Sequence, residues 1–300
     1  MKSHSETVSV VMPVFNAERY VAQAIESIRA QTFRDFRFII VDDGSTDGAL
    51  GILNKYAALD SRICVLSRPN TGIVGALNDG LARAEGKYIA RMDADDQCEP
   101  NRFELQVRRM ESEPDLVALG SCAVAIDPSG NPIGDAPVPL THEEIEERHL
   151  KGQPCIFHPA AMLRASAVRA VGGYREGMCP CEDLDLWLRL GEVGRLANLP
   201  ERLFIWRRNT DGVVASKGQL MRSTIERIVS EAWARRRIQD GRVDPEVECS
   251  SPLELYRQWG WSALKHGHRA TARRYARKAL YRQPWSSASW RLALCAARGY

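Results

Sequence analysis

No run of eighteen uninterrupted apolar residues occurs in the 300-residue sequence, which argues against a transmembrane helix. The opening MKSHSETVSVVMPVF has no signal-peptide hydrophobic region and runs straight into strand-like sequence, so a cytoplasmic protein is expected. The eight cysteines are scattered, and the C-x-C at Cys179 and Cys181 is not a zinc spacing, so reduced thiols are expected. No G-x-G-x-x-G follows the first strand-like segment, which counts against a dinucleotide-dependent dehydrogenase. No glycine-rich, lysine-bearing phosphate loop follows it either, which counts against a nucleotidyltransferase. Acidic residues are nearly missing from the C-terminal region: residues 251–300 contain ten Lys/Arg and one Glu, against 31 basic and 37 acidic before them.

Present instead is a regular alternation. TVSVVMPVF (7–15) is β-branched and almost continuously apolar, as in a strand buried on both faces. Val21, Ile25 and Ile28 then recur at helical spacing, FRFIIVDD reads as a second strand, GALGILNKYAALD as a helix and ICVLSRP as a third strand. GIVGALNDGLARA and GKYIARMDADD supply the next helix and strand. Strict β–α alternation predicts an α/β fold with an open, mostly parallel sheet flanked by helices. Further on, LVALGSCAVAI reads as a strand, DPSGNPIGDAPVP as a turn-rich loop and THEEIEERHLKG as a helix capped by Thr141. EDLDLWLRLG reads as an amphipathic helix, and another helix is expected over 216–238.

Ligands of open α/β sheets bind at the carboxyl ends of the strands, and both acidic clusters, VDDGSTD and RMDADD, lie at such ends. Asp93-x-Asp95 presents two hard carboxylates suited to Mg²⁺ or Mn²⁺. Mg²⁺ seldom has an all-protein cage and completes its shell with phosphates and water, so the pair points to a phosphorylated ligand.

Four segments in this order, VVMPVFNAERYVAQAIESI, IIVDDGSTDGA, NTGIVGALNDGLARAEGKYIARMDADD and EDLDLWLRL, resemble the family 2 glycosyltransferases of GT-A fold, of bacterial polysaccharide type. The resemblance covers about residues 7–215. It implies an inverting enzyme that uses a nucleotide-sugar donor, with UDP as the default nucleotide, a saccharide or lipid-linked saccharide acceptor, and Mn²⁺ or Mg²⁺. It implies that Pro13, Val14, Phe15, Asn16 and Glu18, then Asp42 and Asp43, hold the nucleotide, with Asp43 on the base or ribose. Asn70, Gly72 and Asn78 would close over the base, although the family's A-R-N reads Ala76-Leu77-Asn78 here. Asp93 and Asp95, with Ala94 between them, would bind the cation and the diphosphate, Asp95 most directly. Asp96 would support the pair or cap the next loop. Asp183 would be the base and Glu182 its support, both kept ionised by the helix N-terminus. His158 and Gly172-Gly173-Tyr174 match the acceptor side but equally suit a packed histidine and a tight turn. Arg207 and Arg208 either reach the diphosphate or solvate an edge strand. A non-catalytic nucleotide-sugar-binding assembly protein is the competing reading, against which the intact base pair speaks.

The expected division is a catalytic domain over 1–215 and a basic helical extension over 216–300. Trp259, Gly260, Gly267, Ala272, Ala279 and Pro284 are spaced like one tetratricopeptide-type hairpin, about 253–284. A single such repeat cannot bury its own face, so it should dock on the body or on a partner. Arg273, Arg274, Arg277, Lys278 and Arg282, with Trp285 and Trp290 following, suit either an anionic membrane surface, giving peripheral contact at its inner face, or a water-facing stripe. No nucleic-acid motif accompanies the charge.

Overall fold

The computed structural model describes residues 6–209, 213–239, 241–245 and 251–299. Four strands, β1 (Val8–Val14), β2 (Phe36–Asp42), β3 (Ile63–Ser67) and β4 (Tyr88–Arg91), pair in parallel in the order β3–β2–β1–β4. Their crossovers are the helices α1 (Val21–Arg29), α2 (Ala49–Leu59) and α3 (Ile73–Ala82). The apolar runs are continuous because both faces are covered. In β1, Val8, Val10, Met12 and Val14 enter one core layer and Val11 the other. In β2, Phe36, Phe38 and Ile40 alternate with Ile39 and Val41 in the same way.

The second half adds β5 (Gln97–Cys98), α4 (Arg102–Ser112), β6 (Leu116–Ile126), β7 (Pro132–Ala136) and α5 (His142–His149). It continues with β8 (Met162–Arg164), α6 (Ala165–Ala170), α7 (Glu182–Leu190) and β9 (Arg195–Arg207). The sheet runs on as β4–β8–β6–β9–β5, with β7 on β6. Here the pairings β4·β8, β6·β8, β6·β7 and β5·β9 are antiparallel and only β6·β9 is parallel. The sheet is therefore parallel on one side and mixed on the other.

Two expectations need correction. The turn-rich 127–139 segment is not all loop, because β7 lies within it. The strand-like RLFIW is only the end of the thirteen-residue β9. Thr141 does cap α5, in a reciprocal capping box with Glu144.

Helix α8 (Val213–Arg236) packs Ile225, Ile228, Val229 and Ala232 on Leu184 and Leu188 of α7. Then come α9 (Pro252–Lys265), α10 (Arg269–Arg282) and α11 (Ser287–Arg298). Trp259 and Tyr275 are buried with Ala125 of β6 and Ile133 of β7, so the α9–α10 hairpin docks on the sheet. This apolar cover also explains why β7 forms in a segment rich in turn residues. Leu292 of α11 closes the hairpin's other side: a Cβ on Gly260 would lie 2.6 Å from it. Among the described residues no helix is long and apolar enough to cross a membrane.

Candidate active site

Because β1 to β4 are parallel, their carboxyl ends share one sheet edge, and a cleft of about 740 Å³ opens there. One wall is Pro13, Val14, Phe15, Asn16 and Ala17 with Tyr20; a second is Asp43, Asn70, Gly72, Ile73 and Ala76. Asp93, Ala94 and Asp95 form the floor, and Cys179, Pro180, Glu182 and Asn209 complete the lining.

The first two loops are stitched together by side chains from the predicted motifs. Asn16 Oδ1 accepts from the Thr46 amide at 2.8 Å, and Glu18 Oε2 from the Gly48 amide at 3.0 Å. Asp42 is buried, accepting from the Ser45 amide and the Ser67 hydroxyl. Asp43 lines the cleft while accepting from the amides of Thr71 (3.1 Å) and Gly72 (2.9 Å), so it fixes the third loop as well. Gly72 is required there, since its φ of 90° is left-handed. Three residues expected to contact donor stand apart from the cleft lining. Glu18 and Asp42 hold loops. Asn78 braces a distant turn, donating to the Tyr174 carbonyl (2.9 Å) and accepting from the Tyr174 amide (3.0 Å).

The acidic turn gathers three carboxylates, Asp93, Asp95 and Asp96, with oxygens within 4.8 Å of one another. Burial and then the charge of Asp93 push Asp95 up to about 6. Burial, then Asp95 and Asp93, hold Asp96 well above the usual carboxylate range. Asp93 and Asp95 face the cleft, whereas Asp96 is buried and accepts from the Arg207 amide at 2.6 Å. Asn209 donates to Asp95 Oδ2 at 3.0 Å. A crowded, all-oxygen set whose like charges Arg91 and Arg207 offset only in part fits a hard divalent cation, with Asp93 and Asp95 as the ligands on offer.

Two arginines serve this turn. Arg91, 2% exposed at the end of β4, ion-pairs with Asp93. Its charge also favours the ionised forms of Glu182 and Asp183, and it helps keep the buried His158 neutral. Arg207 is buried, so neither earlier reading of it holds: its Nε donates to the Asp95 carbonyl at 2.7 Å, holding the protein's own turn. Sequence reasoning passed over Arg91, although a charged residue inside an apolar strand is itself a signal. It also missed Tyr20 and Asn209, whose distance along the chain from the motifs they meet leaves no local mark.

At the start of α7, Glu182 is buried and lines the cleft, and its Oε2 has no hydrogen-bond partner among the described residues. Asp183 is half-buried and outside the lining, and its Oδ1 accepts from the Leu184 amide at 2.7 Å. Burial, then the charge of Asp183, push Glu182 up to about 7, so the helix N-terminus does not hold it in the ordinary carboxylate range. Asp183 is raised as well, by burial, in spite of the Leu184 amide and Arg91. Nearby, His158 Nε2 and the Tyr174 hydroxyl lie 2.6 Å apart under Trp187, a packed arrangement.

Comparison with known proteins places this geometry. The family model described as glycosyl transferase family 2 matches residues 9–172. The chain belongs to that family. EpsE of Bacillus subtilis, assigned by name to the glycosyltransferases, is 39% identical over 209 residues, covering 68% of this chain and 74% of EpsE. The amylovoran biosynthesis glycosyltransferase AmsE of Erwinia amylovora is 32% identical over 214 residues, covering 70% and 79%. Among solved structures, the mannosyltransferase PcManGT of Pyrobaculum calidifontis, in complex with GDP-Man and Mn²⁺, superposes with a TM-score of 0.60 at 17% identity. That superposition spans 99% of this chain and 81% of PcManGT. The family 2 chain thus has the GT-A architecture of a glycosyltransferase.

Proposed function

We propose that this chain is an inverting glycosyltransferase of polysaccharide assembly, moving a sugar from a nucleoside-diphospho-sugar, UDP by default, to a saccharide or lipid-linked saccharide. The observation that carries this is the shared cleft: Asp93 and Asp95 lie in the same lining as Glu182 and the nucleotide-side loops. The polysaccharide context is supported by the name of AmsE, and the donor and cation classes by the GDP-Man and Mn²⁺ of PcManGT.

Asp93 and Asp95 would hold Mn²⁺ or Mg²⁺. The bound cation supplies Lewis-acid stabilisation of the departing diphosphate. Pro13 to Phe15, Asp43, Asn70 and Gly72 orient the nucleotide. The Glu182–Asp183 pair handles the proton, with Asp183 as its acceptor and the cleft-lining Glu182 as its partner. As the acceptor oxygen bonds to C1, its proton passes to Asp183 and the C1–O bond to diphosphate breaks, inverting C1. The partner Glu182, pushed up to about 7, titrates beside that acceptor near neutral pH.

Peripheral membrane contact through the extension belongs to this proposal in altered form. Arg273 donates to the Ala296 carbonyl, Arg274 faces Asp127, and Lys278 stacks on Tyr256 and Tyr275. Arg277 and Arg282 remain exposed, beside Tyr281 at 90% and Trp285 at 95% exposure. This aromatic and basic corner suits an anionic bilayer surface.

The reading is tested by thermal shifts with UDP-, GDP- and dTDP-sugars plus Mn²⁺, together with donor turnover before and after chelation. One preferred donor and turnover that returns only with added cation are expected. Equal shifts from all donors would count against UDP, and turnover indifferent to chelation would count against the cation.

A further inference from the structure

Asp127 directly follows β6 and is wholly buried. Its carboxylate accepts from the amides of Ser129 and Asn131, both at 2.8 Å, and helps close the 127–131 turn together with the Asp127 amide on the Asn131 carbonyl. A further donor comes from elsewhere in the fold: the Tyr275 hydroxyl of α10 donates to Asp127 Oδ2 at 2.9 Å. Arg274 reinforces the contact, 3.6 Å from the same oxygen and donating to the Ser129 hydroxyl at 3.1 Å. The C-terminal helices therefore grip this turn by polar contacts as well as by the apolar packing of Trp259.

The opposite side of the turn leads to the acidic floor. Arg207 Nη1 donates to the Asp127 carbonyl at 3.4 Å, and its Nη2 to Gln23 Oε1 at 2.9 Å. The guanidinium lies over the Tyr20 ring, 4.5 Å from its centre, and the Tyr20 hydroxyl donates to the Pro128 carbonyl at 3.1 Å. Arg207 is thus seated on the 127–131 turn by two routes. From that seat it reaches the Asp95 carbonyl through Nε and Asp96 through its own amide. A planar guanidinium with its N–H groups engaged transmits position better than a flexible ammonium would.

We propose that Tyr275 is a positioning residue for the cation-binding turn, acting through the 127–131 turn and Arg207, so that the C-terminal helices are part of the site. The inference rests on the reading that Asp93 and Asp95 hold a cation. Residues behind metal ligands set the ligands' orientation, and their loss weakens affinity.

The test uses the full chain carrying Tyr275→Phe, which keeps the ring against Trp259 and removes one hydroxyl. Free Mn²⁺ is followed by electron paramagnetic resonance in the presence of UDP, and exchange of the Arg207 amide by hydrogen–deuterium exchange. The expected result is Mn²⁺ affinity lowered about 3- to 10-fold, below the ~10–100-fold typical of groups touching the ligands themselves, with faster exchange at Arg207. Tyr281→Phe, at a 90% exposed site in the same helix, should change neither. Gly260→Ala, which crowds Leu292 inside the helical module, should lower thermal stability and leave Mn²⁺ affinity in place. Wild-type affinity in Tyr275→Phe, or an equal loss in Gly260→Ala, overturns the proposal. If the wild-type chain binds no Mn²⁺, the cation reading fails on its own. Exchange at Arg207 then decides the coupling, unchanged exchange overturning it and faster exchange supporting it.

Discussion

The cleft holds two groups of carboxylates, and the protein treats them differently. The turn 93–96 is surrounded by dedicated partners: Arg91 on Asp93, Asn209 on Asp95, and the Arg207 amide on Asp96. Among the described residues the pair at 182–183 is met by backbone amides, that of Leu184 included, and by the field of Arg91. The first arrangement fixes oxygens in place but leaves Asp95 and Asp96 reluctant to ionise, as suits a site completed by a cation. The second leaves Glu182 free to gain and lose a proton near neutrality, with Asp183 raised beside it. Fixed geometry suits binding, and an adjustable charge suits proton transfer.

This contrast is most severely tested by activity. Asp95→Ala and Asp183→Asn should each lower donor turnover by about 10²–10⁴-fold. Only Asp95→Ala should also weaken Mn²⁺ binding; a matching loss in Asp183→Asn would merge the two groups into one. Next in size is Arg91→Met, which strips a buried cation from between them. A loss of about 1–3 kcal/mol is expected in urea unfolding, and a wild-type midpoint would show that Asp93 needs no counter-charge.

A smaller effect concerns pH. Proton transfer requires the ionised pair, so turnover at saturating Mn²⁺ should rise as pH passes upward through about 7, where Glu182 titrates. Glu182→Gln removes the group that titrates there, so the limb near 7 should disappear from the pH–rate profile. The smallest effect is on stability. Asp95 has a folded-state pKa of about 6, above the ordinary 3.8, so its contribution is greatest below about 4 and is lost as pH rises through 6. Asp95→Asn should therefore melt about 2–4 °C higher than the wild type at pH 8 without metal. The two should converge near pH 4 in a calorimetric series.

How much of this could be read from the sequence depended on distance along the chain. The β–α order through Arg91, the location of the cleft and the Asp93–Asp95 floor follow from local periodicity and from the rule that ligands bind at strand ends. Asn78 was misjudged because its partner, Tyr174, lies 96 residues away. The raised titration of Glu182 was not foreseen because burial is a property of the packed molecule, whereas helix position is visible locally. β7 was missed because its apolar cover, Trp259 and Tyr275, arrives from the extension. Arg207 was noticed for its charge, yet its place beneath the acidic turn comes from the pairing of β5 with β9.

That pairing also carries a consequence in time. Asp96 is secured by an amide 111 residues further along the chain, and Gln97 and Cys98 pair with Ile205 and Phe204. At roughly 5–20 residues per second, a ribosome needs about 5–20 s after making the acidic turn before it supplies the strand that anchors it. The parallel β1–β4 layer has all its strands by Arg91 and can assemble during that interval. On a nascent chain, the nucleotide-side wall would therefore stand well before its acidic floor is locked.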